Sequence, residues 1–206
     1  MNQAKKHFFI ILFFLLPIYA LNNCGDTLKG WSFFEIDHTF NKHLYGYFYF
    51  EHDNIEYRKT EEYWTRLMLG YRYNKWLKTA VGWDWFQNPD GHYYRYVLDN
   101  IGTIKEGNLT VSLRERYLLT HTPLNHTVNH LLRSRLKAQY AVPQTRLTPY
   151  LSVELFTWDN WKKTRYYAGT TVRCTDWMDF EAYYMYYVYN GKPASHIIGL
   201  GLNFNL

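Results

Sequence analysis

Apolar and polar residues alternate along most of this chain with a period of two, in runs of about 9–13 residues separated by turn-forming residues. In the last run, Ile198, Leu200, Leu202, Phe204 and Leu206 fall on one side, and Gly199, Gly201, Asn203 and Asn205 on the other. The same alternation predicts ten earlier strands. Trp31–Phe40 sets Phe34 and Ile36 against Phe33, Glu35 and Asp37, and Leu44–His52 sets Phe48 and Phe50 against Tyr47, Tyr49 and Glu51. Tyr63–Tyr73 opposes Leu67 and Leu69 to Arg66, Gly70 and Arg72, and Trp76–Gln87 opposes Val81 and Trp83 to Gly82 and Asp84. Tyr93–Ile104 and Leu109–Leu119 continue the pattern, although Asn100 and Glu115 interrupt their apolar rows; Asn100 is read as the mark of a bulge, and Glu115 has no explanation in the pattern. Strands over Leu132–Tyr140, Leu147–Thr157, Arg165–Cys174 and Met178–Tyr189 complete the series.

Between these runs, 41–43, 74–75, 105–108, 141–146 and 175–176 read as short reversals. Asp53 to Glu62, Asn88 to Gly91, His121 to His130, Trp158 to Thr164 and Asn190 to Ala194 read as longer connections. The short set is expected on a periplasmic side and the long set outside. Eleven strands with no helix between them leave a barrel or a sandwich. Single-chain bacterial barrels use even strand numbers, so one segment is expected to be miscounted or to lie outside the wall, giving 10–12 strands.

The composition of the polar face decides between the two architectures. It carries Arg66, Arg72, Arg95, Arg114, Arg116, Arg133, Arg135, Arg165 and Arg173, mixed with Glu35, Asp37, Glu51, Asp84, Asp99, Glu154, Asp179 and Glu181. Gly70, Gly82, Gly169, Gly199 and Gly201 lie between them. Glycine weakens a solvated strand, whereas inside a narrow barrel it leaves room for long side chains from across the lumen. Arginine suits multiply bonded carboxylate pairs in confined space. The polar face is therefore read as inward and the apolar face as touching lipid. Tyr63, Tyr71, Tyr73, Trp83, Trp85, Tyr94, Tyr140 and Tyr186 are placed as interfacial girdles. The fold class is all-β, a transmembrane antiparallel up-and-down barrel whose lumen is filled by charged side chains. A soluble sandwich or lipocalin-like carrier is the second architecture.

Composition agrees. Among 206 residues there are 21 Tyr, 13 Phe and 8 Trp, residue types that suit a membrane interface. Residues 1–20 read as a signal peptide: Lys5, Lys6 and His7 precede the apolar run Phe8–Leu16, and Ala20 precedes a cleavage point at Leu21. Residues 21–206 are then a single barrel domain, exported to the cell outer membrane of a Gram-negative envelope. The 23 basic residues include Lys5 and Lys6, and the 21 that remain face 18 acidic residues, with no basic patch to suggest nucleic acid. Cys24 and Cys174 do not make a disulfide framework and are read as thiols.

These residues also resemble a known family. Trp31 opening the first strand, the pairs Arg114/Arg116 and Arg133/Arg135, Leu147-Thr148-Pro149-Tyr150 leading to Glu154-Leu155-Phe156, and Gly199-Leu200-Gly201-Leu202 are similar to a family of small outer-membrane β-barrels. That family is a domain of unknown function common in Bacteroidota, and the resemblance covers roughly residues 28 to 206. It implies the barrel fold and brings no catalytic residues. Leu206 stands where an aromatic is usual.

The candidate chemistry is the lumen charge network formed by those seventeen acids and arginines, expected to act as a salt-bridged plug, with an open polar pore as the alternative. His121, His126 and His130 give a weak metal signal in one connection, and no metal or cofactor is expected. Ser195 and His196 would point to opposite faces of one strand, so they do not form a nucleophile–base pair. Trp158 and Trp161 read as interface anchors. The expected role is non-enzymatic: structural, adhesive or that of a narrow channel. The partners are outer-membrane lipid and the barrel-assembly machinery, which would act through strand 196–206. A membrane-embedded hydrolase and a periplasmic carrier of an apolar ligand are the alternatives.

Overall fold

The computed structural model describes residues 27–55, 59–122, 127–157, 163–189 and 191–206. They form eleven strands: β1 (Thr27–Thr39), β2 (Leu44–Ile55), β3 (Lys59–Arg72), β4 (Leu77–Asn88), β5 (Gly91–Glu106), β6 (Leu109–Thr122), β7 (Thr127–Tyr140), β8 (Leu147–Thr157), β9 (Lys163–Arg173), β10 (Met178–Tyr189) and β11 (Lys192–Asn205). Each is at least as long as the roughly 9–11 tilted residues needed to cross hydrocarbon. Successive strands pair antiparallel, and the sheet closes on itself where β1 meets β11.

That closing pair is parallel, with Thr27 opposite Ser195 and Asp37 opposite Asn205. It corrects the expectation of an even count, because all eleven segments belong to the wall. With an odd number of alternating strands the first and last run the same way, and closure then requires one parallel seam. Both strands finish at what we call the tail end of the barrel and begin at the head end.

The sequence also misjudged the connections. The runs Asp53 to Glu62 and His121 to His130 are largely strand: Asp53 pairs with Glu62 beside a bulge, and His121 pairs with Val128. Only 56–58 and 123–126 remain between the described strand ends, so connection length no longer separates the two ends. Polar residues there continue the period-two pattern, and their backbones remain in the ladder. Asn100 marks no bulge, since its ladders to β4 and β6 run in continuous register.

Facing follows the predicted alternation. Arg66 is 2% exposed while its neighbours in the apolar row, Leu67 and Leu69, are 53% and 55% exposed. Met68 and Ala80 are buried while Val81 and Leu136 are bare. A closed wall with an aliphatic exterior and a charged interior is the arrangement that hydrocarbon selects. Aromatic rings collect toward both ends of that exterior: Tyr71, Tyr73, Trp76, Tyr140 and Trp177 at the tail, and Tyr63 and Tyr166 toward the head.

The inward glycines serve neighbouring strands rather than side chains from across the lumen. Gly199 and Gly169 flank Tyr183 in the ladder, and a Cβ on either would collide with its side chain. Gly201 accommodates the ring of Phe33 across the parallel seam in the same way. Rings laid flat over glycine narrow the bore and shield the backbone hydrogen bonds beneath.

Candidate functional site

The interior is organised around buried carboxylates. Glu154 on β8 is fully enclosed, and Arg133 Nη2 on β7 donates to its two oxygens at 3.0 and 2.9 Å. Arg114 on β6 donates to the same group at 2.9 Å, Arg165 on β9 approaches to 3.5 Å, and the Tyr167 hydroxyl donates at 3.2 Å. One anion thus gathers three guanidinium groups from three strands. Farther round the same inner wall, on β3 to β6, Arg66 grips Asp84 bidentately at 2.6 and 2.7 Å, with Arg95 3.7 Å away, and Arg116 grips Asp99 bidentately. Toward the tail end, Arg72 lies 3.8 Å from Asp37 and Arg173 lies 3.8 Å from Asp179. The Arg133, Arg66 and Arg116 pairs answer the need of a buried charge for a partner and for hydrogen bonds, whereas the two tail-end pairs are longer and partly exposed.

Several acids have phenol or indole partners instead of arginine. Tyr47 donates to Glu35 at 2.9 Å, Tyr93 to Glu62 at 2.7 Å and Tyr150 to Glu181 at 2.5 Å. Glu51 receives the Trp64 indole N–H at 2.8 Å and the Tyr49 hydroxyl. On β1, β2 and β3 the inward acids Glu35, Asp37, Glu51, Asp53, Glu61 and Glu62 outnumber Lys29, Arg66 and Arg72, whereas β6, β7 and β9 carry Arg114, Arg133, Arg135, Lys137, Lys163 and Arg165. The lumen therefore has an acidic wall facing a basic one. Arginines on the basic side also lie against rings: the Arg165 guanidinium is 4.5 Å from the Tyr187 centroid and 4.8 Å from that of Phe156, and Arg135 is 4.8 Å from that of Tyr167.

Two cavities occupy the bore. One of about 580 Å³ opens at the head end, lined by residues such as Lys29, Glu61, Asp90 and Lys163. The other, about 550 Å³, opens at the tail end among Lys78, Gln139, Arg173 and Asn205. They share Glu35, Tyr47, Arg114, Arg116, Arg135 and Glu181, a waist of two acids, three arginines and a phenol. The ion pairs fill the wall and the waist and leave polar space on either side.

All seventeen residues of the anticipated network lie on the inward row of their strands. The sequence missed Asp53, Glu61, Glu62 and Lys163, which it had assigned to connections. Asp53 shares the parity of Glu51, and carrying that register two residues further would have found it. It also missed the lumen's apolar patches: Trp31, Tyr150, Tyr167, Met185, Tyr187 and Ile197 form one, and Tyr45, Met68, Ala80, Val97 and Leu118 another.

Ser195 faces the lumen. His196 faces outward, where its Nδ1 is 2.6 Å from the Tyr184 hydroxyl, so the two residues are not brought together. His121 and His130 lie on the outer face of β6 and β7, two residues out of register. His126, Cys24, Trp158, Trp161 and the leader fall outside the described residues. Among the described residues no group of three or more His, Cys, Asp or Glu is placed to hold a metal ion.

Comparison with known proteins supports this architecture. The structure titled "NanC porin structure in rhombohedral crystal form" superposes with a TM-score of 0.56 over 84% of this chain and 91% of the porin chain, at 13% identity. At that identity the likeness concerns the fold. No curated protein matches the chain. A family model described as "Protein of unknown function (DUF2490)" matches residues 28–195, and the chain belongs to that family.

Proposed function

We propose that this protein is a non-enzymatic outer-membrane barrel whose lumen is a narrow, charge-divided passage for small polar solutes. One observation carries the reading. A cavity enters from each mouth, and the two meet at the ring of Glu35, Tyr47, Arg114, Arg116, Arg135 and Glu181. A simple structural plug would need no such vestibules, whereas a passage restricted at one level needs both. Opposed acidic and basic walls set a field across the waist, which favours small dipolar or zwitterionic solutes able to align with it and retards bulky or apolar ones. The porin likeness of the fold supports the same direction.

In this reading residues 1–20 direct export and are removed, lipid surrounds the exterior of Ile198, Leu200 and their counterparts, and the assembly machinery recognises strand 196–206. Neither nucleic acid nor a cofactor has a part. The test is solute-dependent swelling of liposomes carrying the refolded barrel, together with conductance in planar bilayers. Swelling with glycine-sized solutes that fails for disaccharides supports a narrow passage. An impermeable, non-conducting barrel that is nevertheless heat-modifiable in detergent would leave the plug.

A further inference from the structure

On the outer wall, four polar residues stand in a single row across β4 to β7. Thr79 is opposite Asn100, Asn100 opposite Glu115, and Glu115 opposite Ser134. Thr79 Oγ1 donates to Asn100 Oδ1 at 2.7 Å, and Ser134 Oγ donates to Glu115 Oε2 at 2.6 Å. Above and below the row the same face carries Val81, Leu98, Leu113 and Leu136, all exposed. The row therefore crosses the aliphatic belt itself. Among the described residues, Glu115 Oε1 and the Asn100 amide nitrogen have no hydrogen-bond partner within the chain.

A carboxylate and an amide facing hydrocarbon are costly, and polar groups placed there mark contacts with something other than lipid. We infer that this face is the interface of a homodimer, in which Asn100 of each copy donates to Glu115 of the other. The occupant follows from the row's self-complementarity: an acceptor with a free oxygen stands beside a donor with free N–H groups on the adjacent strand. Rotating a second copy by half a turn about an axis parallel to the barrel exchanges their positions, so the same bond forms twice. The aliphatic residues on either side then pack against the other copy, β5 facing β6. A lipid headgroup does not reach the middle of this belt, and a partner of different sequence would need its own matching pair.

The test is sedimentation of the refolded full chain in detergent, together with disulfide capture. The unmodified barrel sediments as a dimer, and the variant N100L/E115L, whose wall is uniformly aliphatic, sediments as a monomer that remains heat-modifiable. In case that variant fails to fold, capture uses the intact row: in a chain with both native cysteines replaced by serine, Leu113→Cys cross-links to its own copy on oxidation in liposomes, whereas Leu151→Cys on β8 does not. An unmodified barrel that is monomeric at all protein concentrations, or equal cross-linking from both cysteine positions, overturns the proposal.

Discussion

Arg133 and Glu154 project into the lumen from adjacent strands, and the single Nη2 of the arginine bridges both carboxylate oxygens of an acid with no solvent exposure. The contact matters beyond its own geometry because Arg114 and Arg165 depend on the same carboxylate. Glu154→Gln removes the one charge that holds three guanidinium groups together. The barrel is expected to lose about 3 kcal/mol or more, as is typical when one partner of a buried pair is removed. The readout is the denaturant midpoint of the folded band, and a shift below a few tenths of a molar would contradict the central place given to Glu154.

Arg114 differs from its two companions because it also borders the waist. In Arg114→Ala, Glu154 keeps Arg133 and Arg165, so folding should survive while the constriction widens. Liposome swelling should then admit solutes that the unmodified barrel excludes, and single-channel conductance should rise severalfold. An unchanged size limit would show that the waist lies elsewhere.

Glycine under an aromatic ring makes a second kind of prediction. Gly199→Val places a branched side chain where the Tyr183 ring lies. Overpacking of this kind costs about 1–3 kcal/mol. Pairing it with Tyr183→Ala should recover part of the loss, and the double-mutant cycle measured by urea unfolding should be non-additive.

The parallel seam can be tested by chemistry. Ser32 and Leu200 are register partners on the outer face, and neighbouring strands lie about 4.8 Å apart, within disulfide reach. S32C/L200C, in a background without the native cysteines, should oxidise within one chain and alter migration after boiling. S32C/L202C, two residues out of register, should do so far less. Equal yields would argue against this closure.

Much of the wall was legible in the sequence because alternation at period two follows the contrast between an aliphatic exterior and a charged interior. Leu67 beside Arg66 and Val81 beside Ala80 leave no second way to face the strand. Strand ends were less legible. Near the mouths both faces meet water or polar side chains, the contrast fades, and Asp53 and Lys163 read like loop residues although their backbones pair. The strand parity was hidden for another reason: no local residue pattern states whether the first and last strands meet parallel or antiparallel. The partners of Glu35, Glu51 and Glu181 were hidden too, because tyrosine on an inward row carries no signal that distinguishes a hydrogen-bond donor from a packing ring.

Closure between β1 and β11 also dictates an order of events. The seam joins the most distant segments of the sequence, so it is the slowest contact to find by chain diffusion. Until it forms, the molecule is a curled ribbon with two unsatisfied borders, each a template for a stray strand. Removing the residues that follow Ser195 would leave the ten preceding strands paired but the ribbon open, and aggregation would then compete with insertion.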